Sequence, residues 1–122
     1  MKIRVLLVDD HVMVRQTLRT VLESYSDIEV VGEACDGQEA VELAERLTPE
    51  IIIMDINMPN MNGIEATVGI KSRHPGMKIV GLSVNADDDT KRAMLHAGAE
   101  TLLSKEAALD ELYRAIRQAI SK

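Results

Sequence analysis

The chain predicts an α/β fold: a doubly wound parallel sheet made of five strand–helix units, (βα)5. Apolar runs of strand length alternate with segments of helical period along all 122 residues. The best of these runs are continuous rather than alternating, the pattern of parallel strands covered on both faces. The distinctive polar residues fall just after the runs, where an open parallel sheet builds its ligand site.

The first strand is Ile3 to Val8, almost wholly apolar. A helix follows near Val12, with Val14, Leu18, Val21, Leu22 and Tyr25 on one face at helical spacing. Ile28 to Ala34 is a more mixed run that suits an edge strand. After Asp36-Gly37, the residues Ala40, Leu43, Ala44 and Leu47 mark a second helix. Ile51 to Met54 and Ile79 to Leu82 are central strands. Ile64, Thr67 and Val68 begin the helix between them. Thr90, Ala93 and Ala97 mark a fourth helix, which Gly98 closes as a C-cap. Thr101 to Ser104 is a second edge strand, and Leu109, Leu112, Ile116, Ala119 and Ile120 form the inner face of the last helix. Right-handed crossovers then place helices on both faces of the sheet. No repeat, linker or low-complexity segment interrupts residues 1–122, which read as one domain.

Composition narrows the function. Hydrophobic residues make up 46% with no Trp and no Phe, so Val, Ile, Leu, Ala and Met must fill the core. Fourteen basic against twenty acidic residues give a net charge of -6, without a Lys/Arg cluster. DNA binding by this chain alone is not expected, because neutralising phosphates supplies most of such affinity. The lone Cys35 excludes an intramolecular disulfide and reads as packed or idle. No signal-peptide core and no membrane-spanning run is present, so a cytoplasmic location and no membrane partner are expected.

The chemistry lies at the strand ends. Asp9 and Asp10 follow the first strand with His11, Asp55 follows the third, Ser83 the fourth and Lys105 the fifth. Three carboxylates converging in a partly dehydrated cleft repel one another, and a hard divalent cation with oxygen preference, Mg²⁺, removes the conflict. Asp55, aimed from a rigid strand, is placed to act as a carboxylate nucleophile toward phosphorus. Lys105 and Ser83 would neutralise and hold the phosphoryl oxygens. Each residue also has an ordinary structural explanation: Asp10 as an N-cap, Asp55 as a loop carboxylate, Ser83 as a loop hydroxyl, Lys105 as a solvated charge. The coincidence of all four strand ends favours the chemical reading. His11 reads as a rim residue, His74 and His96 as surface residues, and Met54, Met58 and Met61 as packing.

These residues resemble the receiver domain of two-component response regulators, most closely the NarL/LuxR type. The matching stretches are Leu7-Val8-Asp9-Asp10-His11 with Arg15, Val30-Val31-Gly32-Glu33-Ala34 with Asp36-Gly37, Met54-Asp55-Ile56-Asn57-Met58-Pro59 and Met61-Asn62-Gly63-Ile64-Glu65-Ala66-Thr67. Leu82-Ser83, Ala97-Gly98-Ala99 and Lys105 complete the set. The resemblance implies a flavodoxin-like fold with strand order 2-1-3-4-5. It implies Asp55 as phosphoacceptor, a Mg²⁺ site made by Asp9, Asp10, Asp55 and the Asn57 carbonyl, and Ser83 and Lys105 as switch residues. Asn57 and Asn85 are expected to tune the lifetime of the phosphoryl group. The implied donor is a sensor histidine kinase, with small acyl phosphates as substitutes, and homodimerisation on phosphorylation is an expected consequence. DNA enters only through a helix-turn-helix domain that is not part of residues 1–122. No enzymatic activity is implied beyond the domain's own phosphorylation and dephosphorylation.

Two positions depart from the resemblance. Leu102 stands where an aromatic is usual, and Glu106 where Pro often follows the lysine, removing the usual support for a cis bond. A docking module that works without phosphorylation is the alternative. A haloacid-dehalogenase-like phosphatase would want an acid at position 57, which is Asn, and a cap domain. A flavin or nucleotide site would want a Gly-rich first loop, which is missing.

Overall fold

The computed structural model describes residues 2–121. The elements run β1 (Ile3–Val8), α1 (Val12–Glu23), β2 (Ile28–Ala34), α2 (Gly37–Leu47), β3 (Ile51–Asp55), α3 (Gly63–Arg73), β4 (Lys78–Ser83), α4 (Asp88–Ala97), β5 (Thr101–Ser104) and α5 (Lys105–Ile120). All pairings are parallel, in the order β2-β1-β3-β4-β5. The chain steps outward from β1 to β2, then returns past β1 to β3. The carboxyl ends of β1 and β3 therefore flank the topological switch point.

The sheet separates two cores. On one face, Ile3, Val5, Leu7, Ile51, Ile53, Val80 and Leu82 pack against Leu18 and Leu22 of α1 and Ala108, Leu112, Ile116 and Ala119 of α5. On the other, Leu6, Val8, Ile52, Met54 and Ile79 pack against Ala40 and Ala44 of α2, Ala66 and Ile70 of α3, and Met94 of α4. Consecutive residues of β1 and β3 alternate between these cores, which is why their runs are apolar throughout.

The strands and the helix order follow the sequence reading; some helix faces do not. On α4 the buried side chain is Met94, while Ala93 is exposed and Thr90 and Ala97 are only partly covered. Val68 points outward, whereas Thr67 is buried as part of an α3 face completed by Gly63, Ala66 and Ile70. Leu109 is half exposed, with Ala108 in the core. These faces carry small residues, so the apolar stripe is too faint to orient a helix. Cys35 is exposed rather than packed. Gly98 does close α4, in the left-handed region at φ 118°.

Sequence reading also missed a β-bulge. The β1–β2 register pairs Val5 with Val30 but Leu6 with Gly32, leaving Val31 as the extra residue. Past the bulge, Glu33 stands opposite Leu7 on the α1 face, and Gly32 turns toward Leu47 of α2. Gly32 within a strand-like run was the available signal.

The loop after β3 is drawn tightly onto the sheet. Gly63 N–H donates to the Ile56 carbonyl at 2.8 Å, and Gly37 N–H to that of Met61 at 3.0 Å. Asn62 and Glu65 form a reciprocal capping box at the start of α3. A Cβ on Gly63 would lie 2.3 Å from the Asp55 carbonyl oxygen, a backbone atom that cannot yield cheaply. Gly63→Ala is expected to lower unfolding free energy by about 2 kcal/mol or more. Gly76→Ala, whose Cβ meets nothing within 4 Å, should stay within about 0.5 kcal/mol of wild type. Urea denaturation of the two variants tests the difference.

Candidate functional site

The site is built where β1, β3 and β5 end. Asp9 and Asp55 are each 1% exposed, although both are acids. Strand burial forces this position: Val8 and Met54 are paired in register, and the residue after each emerges at the same edge. The ligand atoms of Asp9, Asp10, His11 and Asp55 all lie within 4.8 Å of one another. Two full charges that close repel by about 3–4 kcal/mol at an effective dielectric near 20.

Lys105, the first residue of α5, supplies the counter-charge. Its Nζ lies 2.9 Å from Asp9 Oδ2 and 3.3 Å from Asp55 Oδ2, with its side chain 16% exposed. It is thus no solvated surface charge. A cation in a helix's first turn opposes the macrodipole, and here the two anions offset that cost. Ser104 caps the same helix end, accepting from Ala107 N–H at 3.0 Å. Burial lowers the Lys105 pKa, but pairing with Asp9 and the charge of Asp55 outweigh it, and the net shift is upward.

Asp55 is left poorly compensated. Burial first, then repulsion from Asp9, raise its pKa from 3.8 to about 6 against the opposing pull of Lys105 and the Asn57 N–H. Apart from the shared Lys105 ammonium and the pull of the Asn57 N–H, Asp9 Oδ2 and both carboxylate oxygens of Asp55 are buried with no further hydrogen-bond partner. Such oxygens need either protons or a cation. Two buried carboxylates short of donors, with a third, Asp10, at the rim, fit a hard, oxygen-seeking ion such as Mg²⁺.

The neighbouring residues are placed as follows. Asp9 Oδ1 accepts from His11 N–H at 2.9 Å, and His11 Nδ1 lies 3.0 Å from Asp9 Oδ1 and from Asp10 Oδ1. The N-cap of α1 is His11, without a side-chain cap, so Asp10 does not hold the capping role open to it from sequence. Its side chain, 30% exposed, stays available at the rim. Asn57 is exposed two residues beyond Asp55. Ser83 is buried, and its Oγ donates to the Asn85 carbonyl at 3.1 Å and accepts from Asn85 N–H at 3.2 Å. Asn85 itself is exposed. Leu102 is buried, paired with Gly81 and packed beside Met94. His96 is exposed, whereas His74 is partly covered and bonded to Glu45.

The response regulator receiver domain family matches residues 5–117 of this chain. The chain belongs to that family. The transcriptional regulatory protein LiaR of Bacillus subtilis is 48% identical over 117 residues, covering 96% of this chain and 56% of LiaR. DegU of Brevibacillus brevis is 39% identical over 116 residues, covering 95% of this chain and 49% of DegU. Receiver structures agree: a LuxR-family two-component response regulator from Aurantimonas sp. SI85-9A1 superimposes with a TM-score of 0.94 at 32% identity, covering 99% of this chain and 86% of that one. The LuxR-type resemblance and the flavodoxin-like order of the receiver sheet are therefore borne out. The receiver spans about half the length of LiaR and DegU. No helix among the described residues is long and apolar enough to cross a membrane.

The raised Asp55 pKa has a signed consequence for metal-free receiver. The folded state holds this proton more tightly than the unfolded chain. The stability it contributes is full below pH 3.8 and is lost as pH rises through about 6. Asp55→Asn removes that loss, so without divalent metal the variant should be more stable than wild type at pH 7.5, by on the order of 3 kcal/mol. Near pH 3.5 the two should converge. Urea melts at both pH values check the expectation.

Proposed function

We propose that Asp55 is the phosphoacceptor of this receiver, taking a phosphoryl group from the phosphohistidine of a sensor histidine kinase. The observation that carries the proposal is the buried Asp55 carboxylate, under-supplied with donors, 3.3 Å from the Lys105 ammonium it shares with Asp9 and beside two further acids. An Asp55 oxygen attacks phosphorus as the P–N bond to the donor imidazole breaks, and that nitrogen leaves with the bonding pair. Asp9, Asp10, Asp55 and the Asn57 carbonyl would hold Mg²⁺. When bound, the ion supplies charge neutralisation for the phosphoryl oxygens.

The remaining steps belong to the side chains. The Lys105 ammonium, already 3.3 Å from Asp55 Oδ2, remains beside the acceptor and pairs with the added charge. The Ser83 hydroxyl exchanges its contacts with Asn85 for a phosphoryl oxygen, which releases the turn ahead of α4. Asn57 and Asn85, flanking acceptor and hydroxyl, set how readily water reaches the aspartyl phosphate. No substrate other than the domain's own phosphoryl group is turned over.

In the whole protein we assign the output to transcription. LiaR and DegU are named transcriptional regulatory proteins and are about twice this chain's span, which leaves room for a helix-turn-helix domain. Homodimerisation on phosphorylation and a cytoplasmic location belong to the same proposal. Leu102 favours a second reading, a docking module without a switch, because a packed Leu beside Gly81 cannot swing as an aromatic would.

Intact mass after incubation with acetyl phosphate separates the two. Wild type with Mg²⁺ should gain one phosphoryl group, and wild type without Mg²⁺ or Asp55→Asn should gain none. No adduct on wild type while Mg²⁺ still binds would favour the docking module.

A further inference from the structure

We propose that Arg15 and Glu33 are positioning residues for the acid loop, holding the Asp9 backbone so that the carboxylates of Asp9 and Asp10 present themselves to one cation. The inference rests on the receiver chemistry proposed above. β1 ends at Val8, and its ladder to β3 ends there too. Asp9 keeps one sheet contact, its N–H donating to the Ala34 carbonyl at 3.1 Å. Its own carbonyl is taken by Arg15 Nη1 at 2.6 Å. Arg15 N–H donates to the His11 carbonyl at 3.1 Å, so one residue brackets the segment from Asp9 to His11.

The guanidinium is itself fixed. Its Nε lies 3.0 Å from Glu33 Oε1, and the Arg15 side chain is 15% exposed. Glu33 Oε2 receives Arg19 Nη1 at 2.6 Å. Burial pushes Glu33 up, but the bonds from Arg19 and Arg15 prevail and hold it below the usual carboxylate value. The bulge at Val31 gives Glu33 this partner. Strict alternation from Ile28 and Val30 would put residue 32, not 33, on the α1 face. The extra residue reverses the parity and turns Glu33 toward α1.

A cation this close to a cation site has two opposed effects. Its charge alone would weaken Mg²⁺ binding, so removing it would tighten binding. As a brace, it keeps two mutually repelling carboxylates from separating when the site is empty, so removing it would weaken binding. Glu33, shared with Arg19, offsets part of that charge and fixes the guanidinium, so the two effects carry opposite signs that a titration separates. Partners that orient metal ligands commonly change affinity by roughly 10- to 100-fold when removed.

The test is a calorimetric titration with MgCl₂, together with the Mg²⁺ dependence of acetyl phosphate labelling, on the full chain. Arg15→Met should raise the Mg²⁺ dissociation constant roughly tenfold. The half-saturating Mg²⁺ for labelling should rise by the same factor, and the maximal rate should return at saturating Mg²⁺. Arg15→Lys should recover part of the affinity. Arg19→Met removes the same charge and a Glu33 partner but no contact to Asp9, and should leave Mg²⁺ affinity within about twofold. Equal or tighter Mg²⁺ binding by Arg15→Met would overturn the inference and reduce Arg15 to a structural tie. Should Arg15→Met fail to fold, Arg15→Gln carries the test: weaker Mg²⁺ binding supports the brace, since loss of the charge alone would tighten it, and equal or tighter binding removes it. Wild type that neither binds Mg²⁺ nor takes a phosphoryl group would instead refute the underlying receiver chemistry, and this inference with it.

Discussion

Repulsion among Asp9, Asp10 and Asp55 is the constraint on which the rest of this end of the molecule depends. Apolar strands carry Asp9 and Asp55 to the same edge and deny both of them solvent. The fold then supplies what the carboxylates require. Lys105 is set at a helix start that would otherwise disfavour it, and Gly63 lets the following loop close onto the Asp55 backbone. Even so, the compensation is incomplete. Under-partnered oxygens and a raised Asp55 pKa leave a site that a divalent cation would relieve and that, on the proposed function, would then accommodate a phosphoryl group.

The same constraint gives a physical route from site to surface. Ser83 Oγ holds both backbone groups of Asn85, two residues before the α4 N-cap at Asp87. α4 is the weakly anchored helix of its layer, since Met94 is its buried side chain. A hydroxyl drawn toward Asp55 would free Asn85 and loosen the start of that helix, with little core contact to resist. Leu102 sits against this region without leaving its core position, so displacement of α4 is a more economical readout than rotation of a side chain at position 102.

Much of this was legible in the sequence, for identifiable reasons. A buried parallel strand is apolar on both faces, so Ile3–Val8 could be bounded to the residue, and the mixed edge run Ile28–Ala34 was bounded as well. The stripes of α1 and α5 are broad enough to read, apart from Leu109 and from Tyr25, which lies past the end of α1 at Glu23 and is exposed. Those of α3 and α4 rely on Gly, Ala, Thr and one Met, and their faces were misread at Val68 and Ala93. The convergence of Asp9, Asp10, Asp55 and Lys105 was readable because topology dictates which loops meet. What a linear sequence does not carry is parity and contact. The bulge that turns Glu33, the backbone bonds that occupy Ser83, and the role of Asp9 rather than Asp10 in receiving the His11 N–H all depend on local geometry.

The central claim is that burial and like charge leave Asp55 short of compensation until a cation arrives. The most direct measurement is the titration of the Asp55 side-chain carboxyl by carbon-detected NMR, in metal-free protein and again with saturating Mg²⁺. The account predicts a midpoint near 6 without metal, falling well below that value once Mg²⁺ is bound. A midpoint at the ordinary 3.8, unmoved by Mg²⁺, would contradict it.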